Sequence, residues 1–191
     1  WTCGITLRML FSVLDPLIVR MIACGIGLML LVGAWQKIND LEMFQAAVEA
    51  YDLIPLASAR AFSLSFVFIE LSIAVFLICN IASSLTVISA IVLMSLTTFA
   101  ISINLIRGNA DVSCGCGGIE DEQRLSWGLV SRNIVIVVML GMCLIDTNSR
   151  AYNLLDGINL LFGATSIYLV YLLFSQLIAN RERLTRLREG S

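Results

Sequence analysis

The chain has 191 residues, 59% of them hydrophobic and only 14% charged, against roughly 25% charged in an ordinary soluble domain. That balance calls for lipid as the solvent, and runs of about 20 apolar residues, long enough to cross a roughly 30 Å hydrocarbon core, leave no room for a second folded domain. A net charge of −2 without a long basic block excludes nucleic-acid binding, and the lack of any histidine excludes imidazole catalysis and His-containing haem, zinc or copper sites.

The first span is expected over 16–35, with Pro16 at a first-turn position and Trp35 at interfacial depth. Its apolar run continues past Leu31 without a small-residue cleavage pattern and further spans follow, so it reads as a bundle helix, not a signal peptide. Between Gln36 and Arg60, Phe44, Ala47, Val48 and Tyr51 recur at helical spacing among Glu42, Gln45 and Glu49, which predicts a short interfacial helix ending near Pro55. Spans over 61–81 and 84–106 follow, joined so tightly that they form an antiparallel hairpin.

Residues 107–126 are glycine-rich, acidic and too polar for hydrocarbon, so they read as a surface loop. Spans over 127–145 and 158–178 and a charged tail over 180–191 complete the chain, with Arg181, Arg183, Arg186 and Arg188 suited to anchoring at lipid headgroups. The predicted fold is all-α: a polytopic bundle of four core transmembrane helices plus a fifth C-terminal helix, forming a single integral membrane domain over 1–191. With five spans, parity puts the Gln36–Arg60 segment, the glycine-rich loop and the tail on one side of the membrane.

Cys114 and Cys116 are the sharpest chemical feature, two thiols separated by one glycine and followed by Gly117 and Gly118. A Cys-Gly-Cys disulfide closes a small ring, and strained, exposed disulfides exchange readily. The alternatives are unreacted loop thiols or half of a metal site, but no histidine and no second cysteine pair stands in the loop, so no metal site is expected. Cys24, Cys79 and Cys143 sit in or at the ends of apolar helices, where cysteine commonly serves as a small hydrophobe; Cys3, Cys79 and Cys143 lie toward the opposite side and leave open a second dithiol there.

Glu70 falls within the second span, where a carboxylate is costly. Arg132, Asn133, Asn104 and Lys37 approach it from the side of the cysteine loop, so a polar cluster beneath that loop is expected. By depth Arg132 stands within reach of Glu70, either as a structural ion pair or as a cation favouring a thiolate at Cys114 or Cys116 while Glu70 exchanges a proton.

The sequence resembles the MauE branch of the DoxX-like membrane proteins, in Gly33-Ala-Trp-Gln-Lys37 followed by Phe44, in Ile69-Glu70-Leu71, and in Cys114-Gly-Cys-Gly-Gly118 followed by Trp127-Gly-Leu-Val-Ser-Arg-Asn133. It departs from that family's usual Cys-x-Cys-Phe-Gly at Gly117, where the aromatic would stand, which bears on loop packing and not on the two thiols. The resemblance implies a multi-pass protein of the bacterial inner (cytoplasmic) membrane that assists maturation of methylamine dehydrogenase, a disulfide-rich client, beside a thioredoxin-like partner of the MauD type. Cys114 and Cys116 would be the exchange pair, supported by Glu70, Arg132, Asn133, Asn104 and Lys37, with a quinone as one candidate final acceptor.

Two rival readings accompany it: a non-catalytic accessory subunit of a larger membrane complex, and a quinone-linked DoxX-like oxidoreductase subunit. The positive-inside tendency places the loop in the cytoplasm, whereas disulfide formation requires the periplasm. The resemblance implies the periplasmic placement.

Overall fold

A computed structural model describes residues 16–79, 83–109, 125–144 and 154–189, with the backbone alone at 83, 154 and 182–189. Within these residues the chain forms α1 (Pro16–Asn39), α2 (Leu41–Ala50), α3 (Leu56–Ile78), α4 (Ser83–Ile106), α5 (Trp127–Met142) and α6 (Leu154–Glu189). Four of them, α1, α3, α4 and α6, are long and apolar enough to cross a membrane. The fifth apolar helix, α5, has 16 residues and is about 24 Å long at 1.5 Å per residue. The protein is thus an all-α polytopic membrane protein.

Helix α1 stands at the centre, packed against α3 on one flank and α6 on another, while α4 packs chiefly on α5 and touches α3. Ile22, Ile26 and Leu30, four residues apart, form one buried stripe of α1 and meet Ile73, Leu77, Met94, Ile136 and Leu140. The outward faces are as apolar as the core: Phe68, Leu85, Phe99 and Leu161 are largely exposed and have lipid as their natural neighbour.

Small residues permit the closest helix approaches. A Cβ at Gly25 would lie 2.8 Å from Ile167 Cγ2 of α6, and one at Gly27 would lie 2.9 Å from Ile78 Cγ1 of α3. Glycine lets two backbones come together where apolar burial gives no drive, because the lipid is equally apolar.

Helix α2 is the short amphipathic element on the loop side. Asp40 caps it by accepting a hydrogen bond from the Met43 backbone N–H at 3.2 Å, and Phe44 and Val48 are buried against Ala59 and Val67 of α3. It ends at Ala50, before the expected Pro55, because Asp52 takes a positive φ of 49° and turns the chain. Pro55 instead caps the start of α3, which begins at Leu56 and not near Ala61. Proline suits that place, with φ already fixed and no N–H to leave unpaired.

Two sets of contacts settle which helix ends lie together. Tyr51, after α2, packs with Ile101 and Leu105 near the end of α4 and with Leu125, Leu129 and Val130 at the start of α5. At the other end Cys24 Sγ lies 3.7 Å from the Ile78 carbonyl oxygen and Cys143 Sγ lies 3.7 Å from that of Val19.

Candidate functional site

Near the loop-side ends of α1 and α5, a cavity of about 80 Å³ opens among α1, α3, α4, α5 and α6. That is room for several water-sized groups, since one water needs roughly 10–15 Å³ on the same measure. Its lower walls are apolar, with Met29, Leu30, Leu93 and Met94, and its polar lining includes Lys37, Glu70, Arg132 and Asn133. Four of the five supporting residues expected from the sequence therefore meet around one space.

Their pairing differs from expectation. Lys37 Nζ donates to both carboxylate oxygens of Glu70, at 2.8 and 2.7 Å, and both residues are buried. Arg132 does not pair with Glu70. The expected pair rested on depth along α3 counted from Ala61; with the helix starting at Leu56, and with α1 and α3 packed face to face, the ammonium of Lys37 is the cation presented to Glu70. Lys37 Nζ also lies 5.5 Å and 5.6 Å from the ring centroids of Phe44 and Phe66, within the roughly 6 Å range of cation–π attraction.

Gly33, one turn before Lys37, faces the same pair: a Cβ there would stand 3.7 Å from Glu70 Oε1 and 3.9 Å from Lys37 Nζ. The Gly33-to-Lys37 motif thus leaves space beside an ion pair that its last residue helps to make.

Arg132 is buried among neutral groups. Its Nε and Nη2 donate to Asn133 Oδ1 at 3.4 and 3.3 Å, its Nη1 donates to Ser175 Oγ at 3.2 Å, and its guanidinium carbon sits 5.2 Å from the centroid of the Tyr171 ring. Among the described residues no carboxylate forms an ion pair with it. Ser175 and Tyr171 belong to α6 and were not singled out from the sequence, although Tyr168, Tyr171 and Ser175 recur at the three- and four-residue steps that share a helix face.

Asn104 lies elsewhere. It is fully buried near the end of α4, donating through Nδ2 to the Ala100 carbonyl at 3.1 Å, and its backbone oxygen accepts from Asn109 N at 3.0 Å. It caps the helix and does not line the cavity.

Cys114 and Cys116 lie outside the described residues, as does Cys3. The described helices nevertheless fix where their segment leaves and returns: Asn109 follows α4 and Leu125 precedes α5 at the end of the bundle that holds the cavity. Cys24, Cys79 and Cys143 lie near the opposite end, where the thiols of Cys24 and Cys143 meet backbone carbonyls.

Residues 15–146 match the family described as methylamine utilisation protein MauE. The matched region contains Lys37, Glu70, Arg132 and Asn133 and ends before α6, which supplies Tyr171 and Ser175. Methylamine utilization protein MauE of Methylorubrum extorquens is 35% identical over 119 residues, 62% of this chain and 64% of that protein, so the match spans a little under two thirds of the relative. The MauE proteins of Paracoccus denitrificans and Paracoccus versutus are 27% identical over 126 residues and 26% identical over 164 residues; the latter match covers 85% of this chain and 88% of the relative. No solved structure matches the chain.

Proposed function

The chain belongs to the MauE family of methylamine utilisation proteins, and from that premise we propose that it is a thiol–disulfide redox protein of the bacterial inner membrane. In this reading it assists disulfide formation in a periplasmic enzyme such as methylamine dehydrogenase, alongside a thioredoxin-like partner of the MauD type. The observation that carries the reading is the Cys114-Gly-Cys116-Gly-Gly sequence, set in a polar segment between α4 and α5.

The exchange balances as follows. A client thiolate attacks one sulfur of the Cys114–Cys116 disulfide and displaces the other as a thiolate. The client's second thiolate then attacks the mixed disulfide, so the client dithiol loses two electrons and the Cys114/Cys116 pair gains them. The pair returns to the disulfide by passing those electrons to the partner's disulfide or to a quinone. The cavity residues support this reading only indirectly, through the shared end of the bundle: Arg132 sits in the second turn of the helix that follows the cysteine segment, where its positive charge favours thiolate over thiol.

The test replaces Cys114 and Cys116 by Ser and follows the client's disulfides by thiol trapping in intact cells. Loss of client oxidation with the protein still in the membrane is expected. Unchanged client oxidation would defeat the redox reading and leave the non-catalytic accessory subunit as the better one. Labelling with an impermeant maleimide, after reduction, of a variant keeping only these two cysteines should succeed from the outside of intact cells; labelling confined to inverted vesicles would place the pair in the cytoplasm.

A further inference from the structure

We infer that the cavity beside Arg132 is a binding site for a small monocarboxylate with an apolar tail. The charge around it is unbalanced. Lys37 and Glu70 cancel, and Arg132 is the remaining formal charge in the lining, so among the described residues the site carries one net positive charge. A buried cation without a counter-charge is costly, and one bound monoanion removes the imbalance where a dianion would reverse it.

The guanidinium's hydrogen bonds specify the shape of that anion. Arginine has five N–H donors. Three are directed at protein oxygens, two at Asn133 Oδ1 along the Nε/Nη2 edge and one from Nη1 at Ser175 Oγ. One N–H on each Nη nitrogen then has no acceptor among the described residues, and two donors on one guanidinium suit the two oxygens of a carboxylate. Asn133 and Ser175 hold the fork in place, and Tyr171 lies against the guanidinium, 5.2 Å from its central carbon.

The remaining walls choose the rest of the ligand. Leu30, Leu93, Met29 and Met94 offer apolar contact that a carboxylate's hydrocarbon tail uses and that sulfate or phosphate does not. The head chemistry has two sources, a short carboxylic acid from water or a longer one partitioned into the bilayer. No cysteine lines the cavity among the described residues, so binding there is read without reference to the thiols.

The test measures the thermal midpoint of the full-length protein in uncharged-lipid nanodiscs against butyrate, octanoate, butanol and butylamine. A saturable rise with butyrate and octanoate, and none with butanol or butylamine, is expected, because a ligand bound only by the folded state stabilises it with the logarithm of its concentration above Kd. Stabilisation by both acids assigns the ligand to the aqueous phase, and by octanoate alone to the bilayer. No saturable rise with either acid, or an equal one with butanol, overturns the proposal. Arg132→Gln should weaken acid binding at least tenfold and Ser175→Ala a few-fold, read by the shift of a ¹³C-carboxyl resonance. The same titration on protein with Cys114 and Cys116 replaced by Ser should be unchanged, so a failed redox reading and a failed binding site give different results.

Discussion

Two buried cations border one cavity and are held in opposite ways. Lys37 faces a carboxylate that accepts twice from its ammonium and two neighbouring aromatic rings. Arg132 faces an amide oxygen, a hydroxyl and a tyrosine ring, all neutral. The first arrangement is closed, with charge met by charge between α1 and α3. The second is open, with a guanidinium oriented by dipoles and its charge left for something else to meet. A buried ion pair is weak evidence for function, whereas an oriented but uncompensated cation is a place where a ligand's charge counts most.

The sharpest way to break this contrast is to remove one partner of the closed pair. Glu70→Gln leaves the Lys37 ammonium buried without a counter-charge and should cost about 3–5 kcal/mol, read as a lowered thermal midpoint in detergent. Lys37→Met should cost a similar amount, while Lys37→Met with Glu70→Leu should recover to within about 1 kcal/mol of the unaltered protein, because a closed pair can be exchanged for apolar packing. If the double variant is as damaged as either single one, the pair has a role beyond balancing its own charge.

A smaller loss, about 1–3 kcal/mol, is expected from Gly27→Val, which drives methyl groups into Ile78 and Leu77 and separates α1 from α3 without touching either cation. At the open site the expected changes are smaller again. Arg132→Met should shift the midpoint by less than half of the Glu70→Gln loss, since it removes a charge that the described residues do not match. Ser175→Ala removes the hydroxyl that accepts from the guanidinium and should cost about 1.5 kcal/mol. A loss at Arg132→Met as large as that at Glu70→Gln would mean that the two cations are equally structural.

The helices and the polar cluster were legible in the residues, but the contrast between the two cations was not. The apolar runs locate the long helices, since length and hydropathy are what a bilayer selects, and Glu70 stands out because a carboxylate there is expensive. The partner of Glu70 was not readable. Depth along a helix follows from counting residues, but which face meets which neighbour depends on packing, and an early start of α3 at Leu56 shifts even the count. Asn104 illustrates the same limit: an asparagine near a helix end signals either a site or a cap, and its bonds to Ala100 and Asn109 make it a cap. Ser175 and Tyr171 were hidden because one hydroxyl and one ring in an apolar helix are ordinary until a guanidinium is found against them. The thiols of Cys114 and Cys116 were evident from spacing, and they lie outside the described residues.

Two of the three glycines of α1, Gly25 and Gly27, have a mechanical consequence. At 3.6 residues per turn, Gly25 and Gly27 point about 200° apart, so α1 is gripped from nearly opposite sides by Ile167 of α6 and Ile78 of α3. A shaft keyed on two flanks cannot spin or slide freely. Lys37 lies ten residues beyond the second key, about 15 Å along the same shaft, and takes its bearing from it. A change in how α6 seats against Gly25, near the middle of α1, would turn that helix as a rod and bear on the Lys37–Glu70 pair at its end.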